Sequence, residues 1–169
     1  MSQERSDNIT AVETQLARMI GKCCWAVIAG GMGSMATIHL GAYVRREMRL
    51  QASAIGQTKA SFRGEYCIFV QGCAWRLNDK DSVVCGWRDS GVTIEAELAR
   101  LEGSIVSELR LDTQMFDLTA RFENGLTLRL FCDQTGSVDS TPNYSIKTPQ
   151  NLFSVRPRSV LAVEGVNQD

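Results

Sequence analysis

The sequence predicts an α+β domain made mainly of antiparallel β-sheet, with two short helices. Apolar and polar residues alternate over residues 118–130, which is typical of antiparallel strands with one buried face. Residues 16–21 (Leu-Ala-Arg-Met-Ile-Gly) return 82 positions later as residues 98–103 (Leu-Ala-Arg-Leu-Glu-Gly), which indicates two similar units. The 169 residues, 44 % hydrophobic and 22 % charged, have the composition of one ordinary globular domain.

The predicted domain covers residues 9–164, between flexible tails at 1–8 and 165–169. Its two repeat-like units, residues 9–50 and 91–132, each contain a helix followed by a hairpin, and we expect a pseudo-twofold axis to relate them. The similarity continues beyond the hexapeptide, since at the same offset Glu13 falls on Glu95 and Thr37 on Thr119. Residues 16–40 should therefore superpose on residues 98–122.

Each unit is predicted to begin with an amphipathic helix. Thr10 and Glu13 have the spacing of a capping box, and Gly21 and Gly103 are placed to end the two helices. The apolar stripes are Val12, Leu16, Met19 and Ile20 in the first helix and Ile94, Leu98 and Leu101 in the second. The strands that follow are residues 23–29 and 35–40 in the first unit and residues 105–111 and 116–122 in the second.

The hairpin after residue 116 is the best-defined element. A two-residue turn at Asn124-Gly125 would put the apolar rows of the two strands on opposite faces. A three-residue loop, Glu123-Asn124-Gly125, instead pairs Phe122 with Leu126 and Ala120 with Leu128. We therefore predict the longer loop, with Gly125 in the left-handed conformation of a bulge.

Further antiparallel strands are predicted between and after the units. They are residues 65–70, 74–77, 82–87, 144–147, 152–155 and 160–163. Residues 51–64 lack periodicity and are expected to form a mobile loop. The predicted core consists of Leu16, Ile20, Trp25, Val27, Ile38, Leu40, Ile68, Val70, Leu98, Leu101, Val106, Leu118, Phe122, Leu126 and Leu128.

Composition also limits the function. A net charge of −1 argues against a general nucleic-acid binder, and a single histidine, His39, excludes metal sites that need two. The six cysteines form no Cys-x-x-Cys pair and are interpreted as small apolar residues of a reduced, cytoplasmic protein. No apolar run reaches the roughly 18 residues that cross a bilayer. We expect no metal, no cofactor and no membrane association.

Two surfaces are candidates for binding another protein. Residues 91–140 hold nine acids and four arginines, a net charge of −5 that favours a basic partner. The acidic candidates are Glu95, Glu97, Glu102, Glu108 and Asp112. The second candidate surface is made of Trp75, Arg76, Trp87 and Arg88, because tryptophan and arginine dominate binding energy when they are desolvated.

A nucleotide site is the alternative. Gly31, Gly33 and Ser34 follow an apolar strand in the form of a dinucleotide-binding loop. The offset of 82, however, places this loop on a hairpin turn of the second unit, and residues 37–40 alternate like a strand rather than a helix. His39 could act as a base beside Ser34 or Cys24, but its position between Ile38 and Leu40 favours a structural contact.

A series of short motifs resembles a set of small uncharacterised bacterial proteins. The motifs are Trp75-Arg76-Leu77, Asp89-Ser90, a Leu-rich helix, Phe116-Asp117-Leu118, Phe122-x-Asn124-Gly125 and Leu130-x-Cys132. The resemblance covers residues 65–164, and some such proteins accompany toxin or defence genes. It implies a non-enzymatic protein-binding module, an immunity or accessory protein, for which a homodimer is one arrangement. The alternative is a small nucleotide-binding protein or enzyme that uses Gly31–Ser34 and His39.

Overall fold

The computed structural model describes residues 3–31, 33–47 and 60–166. In chain order its elements are α1 (Gln3–Met19), β1 (Cys24–Ala29), β2 (Ala36–Glu47), β3 (Ala60–Val70), β4 (Ala74–Asp79), β5 (Ser82–Gly86), α2 (Gly91–Ala99), β6 (Val106–Leu111), β7 (Leu118–Phe122), β8 (Leu126–Phe131), β9 (Tyr144–Lys147), β10 (Asn151–Arg156) and β11 (Val160–Gly165).

These strands form two sheets. One has six strands in the order β1-β2-β3-β9-β10-β11, and the other has five in the order β5-β4-β8-β7-β6. All neighbouring strands are antiparallel. The predicted α+β class, mainly antiparallel sheet with two helices, is confirmed.

One hydrophobic core joins the sheets and the helices. It takes Ile38 and Ile68 from the six-stranded sheet and Leu77 and Leu128 from the five-stranded sheet, all at most 2 % exposed. Helix α1 packs against β6 and β11, and helix α2 packs against β1 and β5. Since these four strands are the edges of the two sheets, each helix covers one edge of each sheet.

The two sheets also meet at a backbone crossing just after each helix. Gly21 N–H donates to Val106 O (2.8 Å) and Cys24 N–H donates to Ser104 O (2.8 Å). In return, Gly103 N–H donates to Cys24 O (2.7 Å) and Val106 N–H donates to Lys22 O (2.9 Å). Gly21 and Gly103 have left-handed φ angles of +82° and +80°. Gly21 follows the end of α1 as predicted, but α2 ends at Ala99 with Arg100 as its C-cap, so the prediction that Gly103 ends the second helix is wrong. Exchanging each residue with its counterpart 82 positions away converts the first two bonds into the last two.

The hairpins that follow the crossing have the same register at the same offset. Val27 pairs with Ile38 in the first unit, and Leu109 pairs with Ala120 in the second. Each pairing is interrupted at the second residue of the strand, between positions 24 and 26 and between positions 106 and 108. The superposition of the two units about a pseudo-twofold axis stays a prediction.

The loop between β7 and β8 has the predicted length. Ala120 pairs with Leu128, so three residues, Glu123 to Gly125, connect the strands. Gly125 has a φ of +88°, and its N–H donates to Phe122 O at 3.0 Å. Face matching therefore identified both the loop length and the glycine that the turn requires.

The predicted start of the first helix is wrong. Helix α1 begins at Gln3, so residues 3–8 are helical rather than a flexible tail, and Thr10 lies inside the helix, where its hydroxyl donates to Ser6 O (3.0 Å). The early turns are held by tertiary contacts that the sequence pattern does not reveal. Ile9 is buried, and Arg5 Nη2 donates to Gln114 O at 3.0 Å.

Two predicted irregular segments are also shorter than expected. Strand β3 begins at Ala60, so residues 60–64 are strand, while residues 51–59 of the predicted loop lie outside the described residues. The pairing of β2 with β3 shifts register between Leu40 and Tyr43. This irregularity interrupts the alternation of apolar and polar residues, so the sequence pattern does not show how far the two strands extend. At the other end, Gly165 belongs to β11 and pairs with Asn151, so residue 165 is part of a strand and not of a tail.

The predicted core is mostly confirmed, with three exceptions. Ile20 is 45 % exposed, because α1 buries the stripe Ile9, Val12, Leu16 and Met19 and ends before residue 20. Trp25 is only half-buried, and its ring packs on Tyr43 with the centroids 4.3 Å apart. Val27 is also half-buried and packs against the edge of the core.

Substitutions at two neighbouring residues at the end of α1 test whether Met19 is buried and Ile20 is exposed. Met19 is 0 % exposed and Ile20 is 45 % exposed. Met19→Ala should lower the free energy of unfolding by about 2–5 kcal/mol because it leaves a cavity. Ile20→Ala should lower it by less than about 1 kcal/mol because little of its packing is lost. Urea denaturation measures both, and equal losses would contradict the helix orientation.

Candidate binding surface on the five-stranded sheet

A row of arginines crosses the outer face of the five-stranded sheet. Arg76 on β4 pairs with Arg129 on β8, Arg129 pairs with Thr119 on β7, and Thr119 pairs with Arg110 on β6. The residues before and after Arg76 and Arg129 are buried in the core, so the alternation of the strands turns these side chains outward. We name Arg76, Arg129 and Arg110 the arginine row.

Aromatic side chains flank the arginine row. The guanidinium of Arg76 lies 5.4 Å from the centroid of the Phe131 ring, and that of Arg88 lies 4.7 Å from the centroid of the Trp87 ring. Trp87 is 39 % exposed. A pocket of about 420 Å³ is lined by these four residues and their neighbours. Arginine stacked on exposed aromatic rings is a common feature of protein-binding surfaces.

A second, more polar pocket lies on the other side of Phe131. It has a volume of about 630 Å³, and its lining includes Arg110, Thr119 and Arg129 of the sheet. Phe131 lines both pockets, so the two form neighbouring parts of one outer surface. This surface is concave enough to receive side chains of another molecule.

The arginine row has unused hydrogen-bond donors. The Nε atoms of Arg76 and Arg129 are buried and have no hydrogen-bond partner among the described residues. No acid of the described part of the chain lies within 4.0 Å of the arginine row as an ion pair. Arg121, on the same face, differs because it pairs with Glu108 at 2.9 Å. A buried donor without an acceptor is costly, and a bound acceptor would remove that cost.

The two aspartates of this surface accept hydrogen bonds from backbone N–H groups. Asp112 Oδ1 accepts from Gln114 N–H (2.7 Å) and Met115 N–H (3.1 Å), and these bonds lower the pKa of Asp112. Asp117 Oδ1 accepts from Cys132 N–H at 2.7 Å. Both carboxylates line the polar pocket without pairing with its arginines.

The structure spreads the predicted acidic residues over several elements. They lie on α2 (Glu95, Glu97), between α2 and β6 (Glu102), on β6 (Glu108) and in the following turn (Asp112). Glu97 pairs with Arg100 at 2.8 Å, and Glu102 accepts from Val27 N–H at 2.8 Å. Most of this acidic set is therefore engaged inside the protein, whereas Glu95 is exposed on α2.

Trp75 lies beside the same pocket as the other residues of the predicted tryptophan–arginine surface, but almost none of it is exposed. It is 1 % exposed, and its indole N–H donates to Ser34 O at 2.7 Å. Trp75 is thus a core residue that anchors the turn between β1 and β2, and its assignment as a contact residue is wrong. Arg76, Trp87 and Arg88 do come together in one pocket, as predicted for that surface.

The glycine-rich segment forms the turn between β1 and β2. It leads into strand β2, whereas the glycine-rich loop of a dinucleotide site leads directly into a helix. His39 is 6 % exposed and contacts Gly64 and Cys67 of the neighbouring strand β3. Its Nδ1 accepts from Gly64 N–H at 3.0 Å. Since a backbone N–H can only donate, Nδ1 is the accepting nitrogen in this contact.

Burial also keeps several thiols protonated. It raises the pKa of Cys24 and of Cys73 to about 12, and that of Cys85 to about 11. A thiol becomes a good nucleophile only when its pKa is lowered towards neutrality. These three cysteines therefore behave as the small apolar residues that the sequence predicts.

Arg110, Arg129 and Phe131 are the site residues that sequence reasoning missed. The alternation of residues 126–131 already turns Arg129 and Phe131 away from the core. The sequence does not reveal that β4 pairs with β8, which lies about 50 residues further along the chain. Without that strand order, nothing places Arg129 beside Arg76.

Comparison with known proteins adds no relative. No protein-family model matches the chain, and no curated protein or solved structure matches it. None of the helices in the described residues has the length and apolar character needed to cross a membrane. Across residues 3–31, 33–47 and 60–166, no group of three His, Cys, Asp or Glu residues is arranged to hold a metal ion.

Two adjacent glycines test whether the turn is structural. A Cβ on Gly30 would collide with the carbonyl oxygen of Gly91 at the start of α2, and the φ of Gly30 is +79°. Gly30→Ala should therefore lower the free energy of unfolding by about 1–3 kcal/mol. A Cβ on Gly31 meets no atom within 4 Å, so Gly31→Ala should change it by less than about 0.5 kcal/mol. Thermal denaturation measures both variants, and a tolerated Gly30→Ala would contradict this packing.

Proposed function

We propose that the protein is a non-enzymatic protein-binding module that holds its partner on the outer face of the five-stranded sheet. The proposal rests on the contrast between the basic and the acidic side chains of the protein. The arginine row has buried donors without acceptors in the described residues, while most of the predicted acidic residues already have partners within the protein. Unused arginine donors next to an exposed tryptophan are characteristic of binding hot spots.

The surface also has the form of a protein-binding site. Trp87 and Phe131 provide apolar area, and the guanidinium groups stacked on them are held in place before a partner arrives. A preorganised side chain loses less conformational entropy on binding than a free one. The two neighbouring pockets give the surface depressions into which partner side chains fit.

The absence of an enzymatic role is part of the proposal. It is supported by the burial of His39 and by the raised pKa values of Cys24, Cys73 and Cys85. All six cysteines are free thiols, which supports a reducing compartment, the cytoplasm. The specific role as an immunity or accessory protein of a toxin or defence system rests on the resemblance of residues 65–164, and the neighbouring genes test it.

A photo-crosslinking amino acid tests where the partner binds. It is placed at Trp87, at Arg110, at the exposed acid Glu95 and, as a control, at the exposed Arg18 of α1. In cells of the native host, we expect the positions on the outer face to capture the same protein and Arg18 to capture none. Gel shift and mass spectrometry identify the products.

The pattern of crosslinks decides between the two surfaces. Capture from Glu95 without capture from Trp87 and Arg110 would replace the proposal by the acidic surface. Capture from none of the positions would contradict a protein-binding role. If the captured protein is purified, Trp87→Ala in the folded protein should weaken its binding at least tenfold, as the loss of a hot spot does.

A further inference from the structure

We propose that the arginine row recognises an acidic protein segment in an extended conformation that crosses strands β4, β8, β7 and β6. This inference rests on the proposed function and names the chemistry of the partner. Three arginines occupy aligned register positions across the sheet, and no acid of the described residues is paired with them, so they call for carboxylates from another molecule. The buried Nε atoms of Arg76 and Arg129 are donors for such carboxylates.

The overall length of the row fits an extended chain, and its arginines are unevenly spaced, since Arg129 lies one strand spacing from Arg76 and two from Arg110. Neighbouring strands lie about 4.8 Å apart, so the three strand spacings from Arg76 to Arg110 cover about 14 Å. In an extended segment, side chains on one side recur about every 6.8 Å. Three acidic side chains at alternate positions therefore also cover about 14 Å. A single small anion would reach only part of the row.

The two ends of the row differ, which gives the segment a direction. Trp87 lies at the Arg76 end and favours an apolar side chain there, whereas Phe131 lines both pockets. Asp112 and Asp117 line the pocket at the Arg110 end and disfavour further negative charge beyond the third acid. These two carboxylates also disfavour a nucleic-acid backbone, which carries about one charge every 3.4 Å along each strand.

Short labelled peptides test the recognition directly. The probe is Leu-Thr-Glu-Thr-Glu-Thr-Glu with a fluorescent label, which puts the leucine and all three glutamates on one side of an extended chain, and its control has glutamine in place of every glutamate. Fluorescence anisotropy at about 50 mM salt should show at least tenfold tighter binding of the glutamate peptide, and about 200 mM salt should weaken it because screening increases.

Variants of the full-length protein locate the binding. Arg110→Ala and Arg129→Ala should each weaken binding of the glutamate peptide about five- to tenfold, since each removes one charged contact. Arg18→Ala, on α1, is the matched control and should bind like the wild type. Circular dichroism and thermal denaturation verify the fold of each variant, and Arg110→Lys provides a second variant that retains the charge and the aliphatic stem.

Each possible outcome of these binding experiments either supports or overturns recognition of an acidic segment. Equal binding of the two peptides, or unchanged binding by folded Arg110→Ala and Arg129→Ala, would overturn the inference. Tighter binding of a single-stranded DNA oligonucleotide than of the glutamate peptide would replace the acidic segment by a nucleic acid. If the peptide fails while crosslinks at Trp87 and Arg110 capture a protein, the acidic segment is wrong and the proposed function stands.

Discussion

The fold depends on the backbone crossing at which residues 21–24 meet residues 103–106. Four hydrogen bonds of 2.7–2.9 Å join the start of an edge strand in one sheet to the start of an edge strand in the other. Each of these strands follows a helix and then a left-handed glycine, so the crossing lies next to the ends of both helices. Because a buried backbone group needs a partner, the crossing and the helix positions stabilise each other.

The packing of the helices and sheets determines which surfaces are left for a binding partner. Helices α1 and α2 cover the edges of both sheets, and the core fills the space between the sheets. On the outer face of the six-stranded sheet, the ring of Trp25 packs beside His39 and Tyr43. The outer face of the five-stranded sheet instead presents Arg76 and Arg129 with unused donors. A rigid sheet holds such side chains at a fixed spacing, which is what recognition of a repeated charge requires.

The sequence predicts local features far better than the contacts between distant segments. The alternation around Gly125 and the spacing of the apolar residues determine one hairpin register, because any other register exposes the apolar rows. Ile20 has an equally apolar pattern but lies beyond the helix end, which only the packing of α1 decides. The pairing of β4 with β8 depends on the route of the chain, so the arginine row was not predictable from local patterns.

Hydrogen exchange of the free protein, followed by NMR, is the most direct test that the crossing makes the two sheets one cooperative unit. The amides to follow are those of Gly21, Cys24, Gly103 and Val106, with Ile38 and Leu128 as references in the two sheets. If the crossing joins the sheets, all of these amides exchange only when the whole protein unfolds, and their free energies of exchange agree within about 1 kcal/mol. Faster exchange of the crossing amides through local opening would contradict a single cooperative unit. Different free energies of exchange for Ile38 and Leu128 would contradict it as well.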